Sequence, residues 1–276
     1  MRIFYYSQSS GTLSYIPLIP LVSAYFFYRY RKQIWKNIHY SVWPGVAIII
    51  GGLLLLTVWA LVQRYIDPVS AISIKTGSFL AILSGSFILC FGMTSFRIAI
   101  FPIFFLYFII PIPPLVERAI AEIFRFGSEK MVSFYFFIAG IPYIREGNIF
   151  HLDNFSFNIA QQCSGINSGL SLFFISMIMA KLFLKNPWVR LCFIITVIPI
   201  GWIKNGMRIA VLTLLGNYVN PDFLYGPLHR QGGKPFFIIA LLFLGLSLGL
   251  FKIIEKKWGT NWRIKRKKTI LNEHND

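Results

Sequence analysis

Three residues far apart in this 276-residue chain carry side chains that could perform acyl transfer together: Cys163, Arg208 and His229. A thiolate attacks a carbonyl, a fixed cation stabilises the oxyanion that forms, and an imidazole moves the proton. Cys163 stands in Gln161-Gln162-Cys163-Ser164-Gly165-Ile166-Asn167, where a polar segment meets a long apolar run. Its neighbours Gln162 and Ser164 are polar, Gly165 permits close backbone approach, and a helix N-terminus favours the thiolate. The alternative is a cysteine that only packs. Arg208 follows Ile203-Lys204-Asn205-Gly206-Met207 and precedes an uninterrupted apolar run. A guanidinium near hydrocarbon is costly and faces a cavity or a partner, unless it snorkels to lipid headgroups. Asn205, one turn earlier on the same face, could orient the guanidinium or a substrate carbonyl. His229 lies in Gly226-Pro227-Leu228-His229-Arg230-Gln231-Gly232-Gly233, a shaped turn in which the imidazole is either an acid–base group or incidental. Among the other histidines, His151 is a reserve candidate, His39 reads as cytoplasmic and His274 belongs to the tail. No set of His, Cys or carboxylate residues has ligand spacing, so neither a metal nor a cofactor is expected.

The elements that must position these groups are membrane helices. Apolar residues make up 56% of the chain and charged residues 13%, and mean hydropathy is +0.63. The expected fold class is all-α: a polytopic bundle of about seven spans, or eight, in a single integral domain over 1–276. Spans are expected at about Thr12–Tyr28, Ser41–Gln63, Gly77–Phe96, Ile98–Ile110, Ser164–Leu184, Trp188–Leu215 and Pro235–Ile254. The first could be mistaken for a signal peptide, but its charge follows the apolar run, which favours a retained helix. Asp67-Pro68 reads as opening an outer loop, and Pro199 with Gly201 as bending the sixth span. The N-terminal spans, within 12–113, are followed over 114–162 by an amphipathic helix for the interface and a small lid. The helix is expected near Leu115–Phe137, and the lid, alternating polar and apolar residues, near Ile141–Ile159. The catalytic spans occupy 163–254 and a basic tail 255–276.

The net charge of +17 clusters at span ends, with the acids in the intervening loops, which is the positive-inside pattern. That arrangement points to a lipid surface and argues against nucleic acid as a partner. It puts the N-terminus outside and the C-terminus inside. At 1.5 Å per residue, Cys163 lies roughly 33 Å above Lys185, Arg208 roughly 27 Å above Arg190 and His229 roughly 34 Å above Lys252. All three counts reach the outer boundary of a hydrocarbon core about 30 Å thick. Two other classes stay open: a transporter with Arg208 in a polar pathway, and a non-catalytic assembly factor for polysaccharide export.

The order Glu146-Gly147-Asn148, Cys163-Ser164-Gly165-Ile166, Asn205 with Arg208, and then His229 resembles the exosortase/archaeosortase family of membrane cysteine transpeptidases. The resemblance runs over roughly Leu13–Ile254 and includes Ser14-Tyr15-Ile16-Pro17-Leu18-Ile19-Pro20 and the Pro111–Pro114 break. It implies that Cys163, Arg208 and His229 act together, with Asn205, Ser164, Gly165, Glu146 and Asn148 as substrate-binding or supporting residues. It implies partners as well: exported proteins bearing a C-terminal sorting motif, a transmembrane helix and a basic tail, cut through a thioester and passed to an acceptor. The candidate acceptor is a glycan or lipid, with hydrolysis as the default. The setting it implies is the cytoplasmic (inner) membrane of a bacterium, with the site at the extracytoplasmic face and membrane lipid around it. The commonest family form has Ala before the cysteine and Arg or a similar residue after the Ser-Gly-Ile/Leu stretch; here those positions are Gln162 and Asn167.

Overall fold

The computed structural model describes residues 16–38, 40–152, 156–159, 164–220 and 233–273, with side chains described as far as residue 257. The described chain is mostly helical and forms two compact units, Met1–Arg118 and Ala119–Asp276.

The first unit holds α1 (Leu18–Lys36), α2 (Val42–Val62), α3 (Pro68–Ile98) and α4 (Ile100–Leu106), which ends in a 3-10 turn at Tyr107–Ile109. Helices α2 and α3 approach backbone to backbone. A Cβ added at Gly85 would lie 2.8 Å from the Gly45 carbonyl oxygen, and one at Gly52 would lie 3.1 Å from that of Ser78. Small residues at such a seam let apolar helices pack without a hydrophobic driving force between them. Asp67 begins α3 rather than a loop. Its carboxylate accepts from the Ser70 amide at 2.9 Å and Pro68 fills the first helical position, an Asp-Pro pairing that starts helices. The Ser70 contacts hold the Asp67 carboxyl below its usual range. Gly92, at φ +85°, breaks α3, and the Met93 amide donates to Ser41 Oγ at 3.3 Å.

The second unit contains most of α5 (Pro114–Ile138), whose first residues belong to the first unit. It continues through β1 (Ile144–Glu146), β2 (Ile149–His151), β3 (Ser156–Asn158), α6 (Ile166–Phe183), α7 (Pro187–Ile195), α8 (Val197–Tyr218) and α9 (Gly233–Glu273). Helix α5 buries Ala121, Phe124, Ser128, Val132 and Phe136 at the three- and four-residue spacing of an amphipathic helix. The segment expected as a small lid is a three-stranded antiparallel meander, with Glu146 opposite Ile149 and Phe150 opposite Phe157. Its inner face joins Phe150 and Ile159 to Val132, Phe136 and Ala210. A second core is made by Leu172, Ala180, Phe193, Val197, Ala240 and Leu244 from α6 to α9.

Among the described residues, five helical segments are long and apolar enough to cross a membrane: α2, α3, α6, α7 with α8 (Pro187–Tyr218), and α9 up to Lys257. A sixth appears if Ile100–Ile109 and Pro114–Ile138 form one bent span. The first expected span does not qualify among the described residues. Helix α1 runs on through Arg29, Arg31 and Lys32, too many charges for its length. The break in the sixth expected span falls at Thr196, upstream of Pro199. Proline has no amide proton for the carbonyl four residues back, so the disruption appears on its N-terminal side.

Candidate functional site

The site is built where α5, α6 and α8 share a polar layer. Three glycines bring α5 and α8 together: Gly127 lies against Trp202, Gly201 against Phe124, and Gly206 against Met131. A Cβ at Gly127 would sit 2.1 Å from the Trp202 ring, so no larger residue fits without displacing the indole. The ring is fixed by its Nε1, which donates to the Ile123 carbonyl at 3.1 Å, while Tyr135 donates its hydroxyl to the Ile203 carbonyl at 3.2 Å. The Phe124 ring also meets Gly169, which ties α6 to the same joint.

Into this joint project the polar groups of α8. Asn205, 1% exposed, donates through Nδ2 to Ser128 Oγ at 3.0 Å, and the Ser128 hydroxyl donates to the Phe124 carbonyl at 2.7 Å. Gly165 precedes α6 with φ +78°, a left-handed conformation that glycine adopts freely. A Cβ there would lie 2.7 Å from Asn205 Oδ1, so the entry turn of α6 rests directly on Asn205. Lys204, 3% exposed, donates to Ser168 Oγ, and Ser168 donates to the Gly165 carbonyl at 2.8 Å. Ser164 is fully buried, and its Oγ has no hydrogen-bond partner among the described residues. Arg208 is half-buried one turn beyond Lys204 and Asn205.

A second cluster joins α5 to the sheet. Glu129, 4% exposed, receives Arg125 on Oε1 at 3.0 Å and Arg145 on Oε2 at 2.6 Å. Arg125 also binds Glu122. Arg145 donates through Nε to the Gly147 carbonyl at 2.8 Å, and its guanidinium stands 5.3 Å from the Phe150 ring centre. A buried carboxylate is tolerated when both oxygens are paired in this way. Glu129 and its two arginines, with Asn148 and Trp202, line an open cleft of about 670 Å³.

The residues singled out from the sequence fall into three sets. Gly165 and Asn205 are brought into contact, with Ser164 one residue before that contact and Arg208 one turn beyond it. Glu146 is exposed at the end of β1, and Asn148 is exposed in the turn that follows it. Glu146 lies 3.7 Å from His151 Nε2, whose Nδ1 is 2.7 Å from Ser156 Oγ, and the Asn148 carbonyl accepts from the Ile159 amide at 3.2 Å. Cys163 and His229 lie outside the described residues. Sequence reasoning passed over Lys204, Ser168, Ser128, Glu129 and Arg145. The signal for Lys204 was present: it is four residues before Arg208, hence on the same helical face. Nothing in the local sequence pairs Glu129 with Arg145 across 16 positions.

A family model described as transmembrane exosortase matches residues 7–246. No curated protein and no solved structure matches the chain.

Proposed function

From the premise that this chain belongs to the transmembrane exosortase family, a membership that supports a membrane transpeptidase role, we propose a thioester mechanism centred on Cys163. The substrates are exported proteins with sorting signals, as the family implies. In our reading these signals are a C-terminal motif, a membrane helix and a basic tail, cut at the extracytoplasmic face of the inner membrane with the N-terminus of the enzyme outside.

The Cys163 thiol gives its proton to His229, and its sulfur adds to the scissile carbonyl carbon while the carbonyl electron pair moves onto oxygen. Arg208 stabilises that oxyanion, oriented by Asn205. Collapse of the intermediate breaks the C–N bond, and the leaving amine takes the proton from His229. An amine or hydroxyl acceptor then attacks the thioester and releases the thiol; water in its place gives hydrolysis. Ser164 and Gly165 shape the nucleophile turn, and the meander bearing Glu146 and Asn148 covers the substrate.

The contact of Gly165 with Asn205 carries this reading. It joins the turn that follows the cysteine in sequence to the helix that bears Arg208. Processing of a co-expressed exported protein is expected to stop in Cys163→Ala and Cys163→Ser at unchanged enzyme level. Full processing in Cys163→Ala would end the proposal.

A further inference from the structure

The first unit holds a cavity of about 350 Å³ between α1, α3 and α4 that the acyl-transfer scheme does not use. Phe27, Leu80, Phe87, Phe91, Ile103 and Leu106 form its apolar wall. The hydroxyls that reach it are already bonded. Ser84 and Ser86 donate to the carbonyls of Leu80 and Ile82 at 2.8 and 2.9 Å. With the Ser84 proton so engaged, the Tyr107 hydroxyl donates to Ser84 Oγ at 3.1 Å. Water in such a space finds too few partners to stay, and an apolar cavity of about 150 Å³ already takes up a benzene ring. This larger one has room for a longer apolar chain. It runs along α3 from Leu80 to Phe91, and on its rim Leu83 and Cys90 are exposed. Where α3 spans the membrane, that opening faces lipid tails.

One end of the cavity is basic. Phe91 meets Trp35 there, with ring centres 5.7 Å apart, and Ser95 Oγ donates to the Ile34 and Asn37 carbonyls at 3.0 and 2.9 Å. The last turns of α1 and α3 are thereby held together. Lys32 and Lys36 flank Trp35 on α1, and Arg97 lies two residues beyond Ser95 on α3. All three are exposed, and none has an ion-pair partner among the described residues. The acids of this unit, Asp67 and Glu117, lie at the starts of α3 and α5, beyond the opposite ends of α3 and α4. An apolar slot that ends at unpaired cations is complementary to a lipid with an anionic headgroup. We propose that the cavity binds an anionic phospholipid, with one acyl chain between α1, α3 and α4 and the phosphate against Lys32, Lys36 and Arg97. The assignment draws on the first unit alone and is independent of the role of Cys163.

The test is photo-crosslinking of the full-length protein in phosphatidylcholine vesicles that contain a small share of one of two probes. The probes are a phosphatidylglycerol and a phosphatidylcholine with the same diazirine-bearing acyl chain, and adducts are mapped by peptide mass spectrometry. Leu53 and Leu54, exposed on α2, report labelling by bulk lipid. The expected result in the wild type is that the glycerol probe labels residues 80–91 and 103–107 several-fold more than it labels α2. It should also label them several-fold more than the choline probe does. Lys32→Gln combined with Arg97→Gln should bring the glycerol probe down to the choline level. Cys90→Trp, which places an indole in the opening, should bring labelling of the wall down to that of α2 at unchanged melting temperature. A wall labelled no more than α2 by either probe overturns the proposal, and is the outcome if another segment of the chain or a second copy fills the cavity. Equal labelling by the two probes overturns it as well, as does undiminished labelling in a folded Cys90→Trp. The first two comparisons use the wild type, so they decide the question even where a variant fails to fold.

Discussion

The seam between α2 and α3 and the joint of α5, α6 and α8 are both built on glycines, yet they treat polar groups in opposite ways. Where α3 meets α2, the Ser78 hydroxyl donates to the carbonyl four residues back, so its polarity is settled within the helix. In the joint, Asn205 reaches Ser128 across 77 positions and Lys204 reaches Ser168 across 36, and in the neighbouring cluster Arg145 reaches Glu129 across 16. Local satisfaction lets a helix pack as if it were apolar. Long-range satisfaction fixes side chains in orientations that chemistry requires, and it costs burial of charge to do so. The seam is a scaffold, and the joint is where the molecule holds groups ready.

That contrast can be broken by mutation. The largest effect is expected in the joint: Arg208→Ala should lower the processing rate by about 10²- to 10³-fold, the usual loss for an oxyanion donor, with the melting temperature little changed. Comparable loss of folding and rate together would mean that Arg208 is structural. Gly165→Ala comes next. It forces a β-carbon into a left-handed turn, at about 1–2 kcal/mol, and onto Asn205, so rate and stability should both fall. In the seam, Gly85→Leu should cost about 1–3 kcal/mol by overpacking against the Gly45 backbone. There the rate per folded molecule should survive.

Smaller effects sharpen the comparison. Ser128→Ala removes an acceptor from buried Asn205 and should cost about 1–3 kcal/mol. Ser78→Ala in the seam should stay within about 0.5 kcal/mol, because its hydroxyl only back-bonds to its own helix. Equal values from denaturation of the two variants would erase the distinction. The smallest effect lies at the start of α3. The folded carboxyl of Asp67 has a lowered pKa, so its capping contribution is present above the ordinary carboxylate range and is lost as pH falls through the folded value. Corrected for the intrinsic pH dependence of exchange, protection of the amides of residues 69–71 should fall on acidification in the wild type and be insensitive to pH in Asp67→Asn.

Much of the scaffold was legible in the sequence, because hydropathy and punctuation act locally. Val42–Val62 and Ile166–Phe183 fall within two residues of the spans expected from apolar runs, and α5 occupies the segment expected to be amphipathic. The misses have local causes too. Asp67-Pro68 is a helix start that also looks like a turn, and the charges after Tyr28 lie inside α1 rather than after it. The joint was only partly readable. Asn205 and Arg208 could be found because helical spacing puts them on one face, and Gly165 because glycine beside a polar run signals close approach. Ser128, Ser168 and the Glu129–Arg145 pair could not, since their partners are set by the packing of α5 and the sheet. The common depth of Cys163, Arg208 and His229 rests on helix counting, for two of the three lie outside the described residues.

The central claim is covalent catalysis by Cys163, and its most direct test is to trap the intermediate. A candidate exported protein with a C-terminal sorting helix is co-expressed with the enzyme, and membranes are probed for a higher-mass adduct before and after hydroxylamine. The account predicts a hydroxylamine-sensitive species with the wild type that is absent with Cys163→Ala. Processing that proceeds without such a species, or an adduct that persists in Cys163→Ala, would contradict it.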